Sequence, residues 1–315
     1  MDLSIAVINW NTSDLLVDCL RSIVEHGQDL EYELTVVDNG STDADVREIS
    51  KDFRNFRWKF NQDNTGGCAL NEAWDQIRGR YFLFLGPDAQ IQAGCLQELV
   101  RFLDSHPEAG GVSGQLLNPD GSIQHYCRRL PTLSSVFFCW TKLGNTLDRE
   151  FVNHHFIHQY KCKDIRLDST VEVQQPSAAC LLIRSELVRE KSGLIIDRKF
   201  PFYFNDVDLC KRVYDAGYRI FVLPDAKVIH HLGSAFAHRD EGWKLGENHA
   251  SLMRYLFKHH GIWAWAFYAY SLCETITSLV LNHIRVFLTS NSEQFERRIQ
   301  EGHQILSRIA VFFIR

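Results

Sequence analysis

Three apolar runs constrain this chain more than any other feature: LSIAVIN (3–9), ELTVVD (33–38) and YFLFLG (81–86). Each is rich in β-formers, and the segments between them carry helical spacing. In SDLLVDCLRSIVEHG (13–27) apolar residues recur every three or four positions, with Ser13 as the expected N-cap and Gly27 as the stop. A short helix from about 43, a strand RWKFN (57–61) and a helix over GCALNEAWDQIRG (67–79) continue the alternation. Repeated β-α-β units with nearly continuous apolar strands predict an α/β fold, a mostly parallel sheet flanked by helices. Such sheets bind ligands beyond the carboxyl ends of their strands. Two aspartates fall at such ends, Asp38 in VVDNGSTD and Asp88 in the GPDA turn.

Further along, a helix is expected over about 93–106, and NPDG (118–121) reads as a type I turn between two short extended runs. Then come a strand around 177–183, a helix opening near Asp206 in FNDVDL, and strands YRIFVL (218–223) and AKVIHH (226–231). The stretch 131–170 shows little periodicity. Its histidine cluster NHHFIHQY (153–160) lacks the H-E-x-x-H spacing of a zinc helix and reads as solvated. From about 242 the pattern is helical.

Composition excludes some classes. With 45% hydrophobic and 12% aromatic residues the chain has a real core to bury. A formal net charge of -5 gives no electrostatic footprint for nucleic acid. Nine cysteines stand singly, without a C-x-x-C pair, and the N-terminus lacks the basic start and long apolar run of a signal peptide. Reduced thiols and a cytoplasmic location are expected.

Asp38 either forms the turn that follows it or accepts hydrogen bonds from a ribose hydroxyl or a base N–H. No G-x-G-x-x-G follows the first strand and no P-loop occurs, which disfavours a dinucleotide oxidoreductase or a P-loop ATPase. Without a glycine loop, a bound diphosphate needs a metal, and Asp88 stands where one can be held. Asp206, Asp208, His230 and His231 also fall at element ends on the inferred rim. Oxygen ligands with one imidazole suit Mg²⁺ or Mn²⁺ held partly through substrate phosphates. Asp208 reads as capping or pairing within its helix, and Asp206 as a general base if it reaches a substrate hydroxyl.

Seven blocks, VINWNT, VVDNGSTD, NTGGCALNEA, FLGPDAQI, LLNPDGSIQHYCRRLPT, FYFNDVDLCKRVYDAGYRI and AKVIHHLGS, occur in the order found in glycosyltransferase family 2. Over roughly 3–260 the chain resembles that family, most of all its bacterial rhamnosyltransferase-like branch. The resemblance implies a GT-A fold over 1–241, with a nucleotide-sugar half (about 1–125), an acceptor half (about 126–241) and a helical extension (242–315). It implies an inverting transferase of a sugar such as L-rhamnose, from dTDP-rhamnose or a UDP-sugar to a glycan or lipid-linked acceptor, in bacterial surface polysaccharide synthesis. Carried over by position, Asn11, Thr12 and Asp38 would hold the nucleoside, and Gly67 and Asn71 would line the donor pocket. Asp88 and His230 would hold the metal, and Asp206 would be the catalytic base. Arg128 and Arg129 either add positive charge near phosphate or are solvated surface residues.

Two departures stand out. Asn205 replaces the family's usual Glu, which removes a negative charge beside Asp206 and lowers its pKa relative to the usual pair. Gly86 stands where Asn is common. A nucleotide-sugar-binding pseudoenzyme is the alternative, and the retained Asp88 and Asp206 argue against it.

IWAWAFYAYSLCETITSLVL (262–281) is the most apolar window. Tyr268, Ser271, Thr275, Ser278, Asn282 and Arg285 form a polar stripe opposite Ile262, Trp265, Ala269, Leu272, Ile276 and Leu279. A span would place Glu274 near the bilayer centre at a cost of roughly 2–4 kcal/mol. The expectation is a helix lying peripherally on the inner membrane surface, with a helix packed against the catalytic domain as the alternative. Phe295, Ile299, Leu306, Ile309 and Phe313 share one face of the last helix and suit the same surface or a homodimer contact.

Overall fold

The computed structural model describes residues 1–189, 195–233, 239–288 and 293–311. The chain divides into two compact units, Met1–Leu130 with Lys161–Pro201 and Asn205–Ala237, and Pro131–Tyr160 with Phe202–Phe204 and His238–Arg315. Thus 131–160, which the family resemblance assigns to the acceptor half, is compact with the C-terminal helices. The helices are α1 (Ser13–His26), α2 (Val46–Asp52), α3 (Cys95–Ser105), α4 (Leu133–Trp140), α5 (Lys142–Val152), α6 (His155–Tyr160), α7 (Ser185–Arg189), α8 (Asn205–Asp215), α9 (Glu241–His259), α10 (Trp263–Leu288) and α11 (Glu293–Val311).

The first unit holds one sheet of β1 (Leu3–Asn9), β2 (Tyr32–Asp38), β3 (Arg57–Phe60), β4 (Tyr81–Leu85), β5 (Ala89–Ile91), β6 (Ala109–Leu117), β7 (Val171–Glu172), β8 (Cys180–Arg184) and β9 (Arg219–His230). Its order is β3-β2-β1-β4-β8-β6-β9-β5, with β7 on β9. The strands β3, β2, β1 and β4 are parallel, as their apolar runs predict. Between β4 and β6, β8 runs antiparallel. Nothing in CLLIR marks that reversal, because burial on both faces removes the alternation that distinguishes strand environments. The strands expected at 218–223 and 226–231 are one strand, β9. Its register against β6 jumps from Leu223 opposite Gly114 to Lys227 opposite Gln115. Gly114 admits this bulge, since a Cβ there would lie 2.6 Å from the Ala226 carbonyl oxygen.

Period-two alternation sorts the strands into two cores. Leu3, Ile5, Val7, Leu83 and Leu85 join Leu16, Leu20, Leu96 and Leu99 of α1 and α3. Ala6, Phe82 and Phe84 join Leu70, Leu209 and Val213 on the opposite face. Helices thus cover both sides, and the strand tips are left to polar groups.

Two local expectations change. Ser13 does not cap α1; Thr12 takes the N-cap position, and Asp43 in the loop after β2 accepts from both the Ser13 backbone N and its Oγ at 2.8 Å. The helix expected over 67–79 is a 3₁₀ segment, Gly66–Gln76. Its groups are tied to other segments: Lys59 Nζ donates to the Glu72 carbonyl, and Asn71 clasps Ile196. The NPDG turn is present, with Gly121 N donating to Asn118 O at 2.8 Å.

The second unit is helical. Gly246 and Gly302 allow close packing, since a Cβ at Gly302 would lie 2.7 Å from Leu279 Cδ2 and one at Gly246 3.1 Å from Gln304 O. Buried Glu247 accepts from Arg254 at 2.8 Å and pairs with Arg308 at 3.3 Å. Neither stripe of α10 is uniform in exposure: in the polar one Ser271 and Asn282 are buried and Arg285 is exposed, and in the apolar one Trp265 and Ile276 are exposed, as is Ile262 just before the helix. Leu279, assigned to the apolar stripe, is buried. Phe313 and the side chain of Ile309 lie outside the described residues.

Candidate active site

The parallel strands end in side-chain amides and a carboxylate. Asn9 and Asp38 are opposite one another in register. Asn9 is fully buried; its Nδ2 donates to Asp38 Oδ1 at 2.9 Å and to Ser41 Oγ at 3.0 Å. Ser41 gives Asp38 its hydroxyl at 2.6 Å and its backbone N at 3.2 Å. Thr12 Oγ1 donates to Asn9 Oδ1 at 2.9 Å, so with that bond made it meets a ligand only as an acceptor. Asn11, at φ 53°, accepts from Thr42 N at 2.7 Å. Buried Asn39 extends the network, donating to Asn64 Oδ1 and Gly66 O at 3.1 Å. The result is a rigid polar shelf in which Asp38 is fixed by its neighbours and retains lone pairs for an incoming N–H or O–H.

At the next strand tip, Ala89 pairs with His230 across β5 and β9. That register sets His230 Nε2 3.6 Å from Asp88 Oδ1. Gly86 is required for this arrangement, because a Cβ there would lie 2.6 Å from Asp88 Oδ1. His230 Nδ1 donates to Gln124 Oε1 at 2.8 Å, and Gln124 Nε2 donates back to the His230 carbonyl at 2.7 Å. Burial lowers the imidazole pKa, with the Asp88 carboxylate acting in the opposite sense. His230 is therefore neutral at pH 7 with its Nε2 lone pair turned toward a carboxylate. Two acceptors facing each other in a nearly dry site are stabilised by a cation between them. Among the described residues no group of three or more metal-ligating side chains occurs. A carboxylate and one imidazole fit Mg²⁺ or Mn²⁺, which complete their coordination with water and substrate phosphates.

A cavity of about 170 Å³ lies beside this turn. Its lining is apolar at Ile8, Leu70, Phe84 and Leu209, includes Gly86 and Pro87, and is polar at Asn205 and Asp206. Asp206 sits in the first turn of α8, where the helix dipole favours a carboxylate. Its Oδ1 accepts from Val207 N and its Oδ2 from Gln175 Nε2, both at 2.9 Å. Burial raises the carboxyl pKa above the ordinary aspartate value, and these bonds act against the rise. A carboxylate of raised proton affinity lining a small cavity suits a general base. The backbone approaches it through two consecutive left-handed residues, Tyr203 (φ 45°) and Phe204 (φ 58°), an unfavourable conformation for aromatic side chains. Asp208 pairs with Arg212 at 3.2 Å within α8, as its position predicts.

Gly67 lines the cavity, and a Cβ there would lie 2.1 Å from Asn205 Nδ2. Asn205 Oδ1 in turn accepts from Asp206 N at 2.7 Å. Gly67→Ala is expected to turn the Asn205 amide and break that bond, lowering kcat about tenfold or more with little change in Tm. An unchanged kcat in steady-state assays would separate Gly67 from the placement of Asp206. Asn71 commits both ends of its amide to Ile196, to the carbonyl and to the N–H at 2.9 Å, and so ties the 3₁₀ segment to the cavity wall.

Arg128 exchanges backbone hydrogen bonds with Gln175, the residue that contacts Asp206, and its guanidinium lies 5.2 Å from the Tyr126 ring centroid. Arg129 makes a two-point pair with Asp164 at 2.9 and 2.6 Å, so its charge is already matched. The sequence reading missed Asn9, Gln124 and Gln175. Asn9 had a signal, a polar residue ending an apolar strand beside the one that ends in Asp38. The two glutamines had none, because each acts through a partner more than thirty positions away. A larger hollow of about 680 Å³, lined by residues of β2 and α2 such as Tyr32, Leu34 and Lys51, contains none of the expected site residues.

The family model for glycosyl transferase family 2 matches residues 4–162. An N-acetylglucosaminyl-diphospho-decaprenol L-rhamnosyltransferase of Mycobacterium tuberculosis is 25% identical over 240 residues, 72% of this chain and 75% of its own length. Among solved structures, S. aureus TarS 1-349 in complex with UDP-GlcNAc superposes with a TM-score of 0.54 at 17% identity, covering 99% of this chain and 80% of that one. A mannosyltransferase from Pyrobaculum calidifontis in complex with GDP-Man and Mn²⁺ gives 0.52 at 16% identity, covering 99% and 86%. These structural likenesses carry the GT-A fold. With the family model matched over half its length, the chain belongs to glycosyl transferase family 2.

Proposed function

We propose that the chain is an inverting glycosyltransferase that moves a sugar from a nucleoside-diphosphate donor to a hydroxyl of a glycan or lipid-linked acceptor. The observation that carries this reading is that Asp206 lines a small cavity together with Gly86 and Pro87, which lead directly into Asp88 in sequence. The polar shelf around Asp38 receives the nucleoside, with Asn11 and Thr12 bordering it. The cavity receives the sugar.

Asp206 takes the proton of the acceptor hydroxyl as its oxygen bonds to the anomeric carbon. The bond from that carbon to the diphosphate oxygen breaks, the electron pair leaves with the nucleoside diphosphate, and the configuration inverts. Asp88 and His230 would hold a divalent cation, which when bound supplies positive charge to the departing diphosphate. Arg128 adds charge on the side of the base. The apolar wall excludes water from the reacting centre.

The likeness to the mycobacterial enzyme supports L-rhamnose as the sugar and a polyprenyl-diphosphate glycolipid as the acceptor; surface polysaccharide synthesis is the proposed setting and the cytoplasmic membrane face the proposed location. The TarS likeness supports UDP-sugars as the next donors to try. Nucleotide release and equilibrium binding measured across dTDP-rhamnose and the common UDP-sugars are expected to single out one donor by at least about tenfold in kcat/KM. Binding of no nucleotide sugar at all would overturn the reading.

A further inference from the structure

Gln175 meets the proposed base from outside the helix that carries it. It stands directly before Pro176, whose ring disfavours the helical region for the preceding residue and keeps the backbone there extended. In that conformation it forms an antiparallel bridge with Arg128: Arg128 N donates to Gln175 O at 2.8 Å, and Gln175 N donates to Arg128 O at 3.0 Å. Both sides of the bridge are anchored in one small apolar cluster, through Cys127 and Val173, which pack with Cys162, Leu167 and Val222. Gln175 is itself buried, and its Nε2 faces two oxygens, Asp206 Oδ2 at 2.9 Å and Pro176 O at 3.4 Å. A backbone carbonyl can only accept, so the end of the amide turned this way is the NH₂.

We propose that Gln175 is a positioning residue for the transfer, fixing the orientation of the Asp206 carboxylate and favouring its ionised form. Each oxygen of that carboxylate receives one N–H, Oδ1 from Val207 N and Oδ2 from Gln175 Nε2, both at 2.9 Å. Val207 is the next residue of α8, whereas Gln175 is thirty-one positions away, so its bond ties the carboxylate to a separate, independently anchored segment. A carboxylate offers about four lone-pair sites, and the two that remain leave room for an acceptor hydroxyl. Both partners are donors and stabilise the charged acid. Burial raises the Asp206 pKa, and the bonds from Val207 and Gln175 lower it. Without the Gln175 bond the buried acid would keep its proton to higher pH and be lost as a base. The groups around it do not share that titration. Burial pushes the Cys210 thiol of α8 and the Tyr126 phenol up, and the charge of Asp206 adds to both shifts, with Arg128 acting against the second. Asp208 is paired with Arg212.

The inference rests on the reading of Asp206 as the base, but its first test uses neither donor nor acceptor. In the unaltered protein, the NMR resonances of the Asp206 carboxyl carbon and the Gln175 side-chain nitrogen should titrate with a common midpoint. A Gln175 resonance that stays flat while Asp206 titrates would overturn the inference. Gln175→Met keeps the bulk of the side chain and removes the donor. It should move the Asp206 midpoint and the acid limb of kcat up by about one pH unit, and lower the plateau kcat about tenfold. Gln175→Glu sets an acid against an acid and should move both further. An unmoved limb together with a lowered Tm would make Gln175 a structural residue and overturn the inference. In the Asp206→Asn background, Gln175→Met should cost little more in kcat, because no base is left to place; a second full loss there would also overturn it. Absence of transfer from any donor, with the common midpoint and its shift in Gln175→Met intact, would remove the proposed function and leave the coupling of Gln175 to Asp206 standing. Transfer with an unmoved limb in both Gln175 variants would remove this inference alone.

Discussion

Asp206→Asn is expected to bind donor as tightly as the parent protein and to lose roughly 10²- to 10⁴-fold in kcat, the usual contribution of a positioned general base. The asparagine can keep a hydrogen-bonded contact with Gln175 but cannot take a proton. The pH profile adds a signature that a structural role would not produce. The base works only when deprotonated, and burial raises its pKa above that of a free aspartate. The rate should therefore rise with pH through that elevated value, and the acid limb should lie at higher pH than for an exposed carboxylate. The variant should lack that limb. Near-parental turnover, or an unchanged limb, would remove Asp206 from the role of base.

Removal of divalent cations is expected to have an effect of similar size. EDTA should abolish transfer, and added Mn²⁺ or Mg²⁺ should restore it. Asp88→Ala should weaken binding of the nucleoside diphosphate far more than binding of the free nucleoside, because the lost ligand acts on the phosphates. Calorimetric titration of both compounds, with and without Mn²⁺, separates the two contributions. Transfer that persists in EDTA with Asp88 intact would shift the neutralisation of diphosphate to side-chain cations, with Arg128 the first to replace.

The strands and most helices were legible because each depends on local pattern. β1 and β4 alternate between two cores, and α1 places Leu16, Cys19, Leu20 and Ile23 on one face. Asp38, Asp88, Asp206 and His230 were legible as element ends on one rim. Features set by pairing between distant segments were not. The direction of β8, the bulge that fuses two expected strands into β9 and the 3₁₀ winding of Gly66–Gln76 all depend on partners far away in sequence. The stripes of α10 were legible as stripes, but the burial of Leu279 within the apolar one was not, since periodicity shows that a helix has two faces and does not show which medium each residue meets.

The contact of Gly67 with Asn205 has an evolutionary consequence. With 2.1 Å between a Cβ at 67 and the amide at 205, the two positions cannot drift independently. Any side chain at 67 demands a shorter or differently turned residue at 205. Among descendants of this chain, a side chain at 67 should appear where 205 has also changed. Laboratory evolution that places a side chain at 67 would then lose activity at that step unless 205 changes with it.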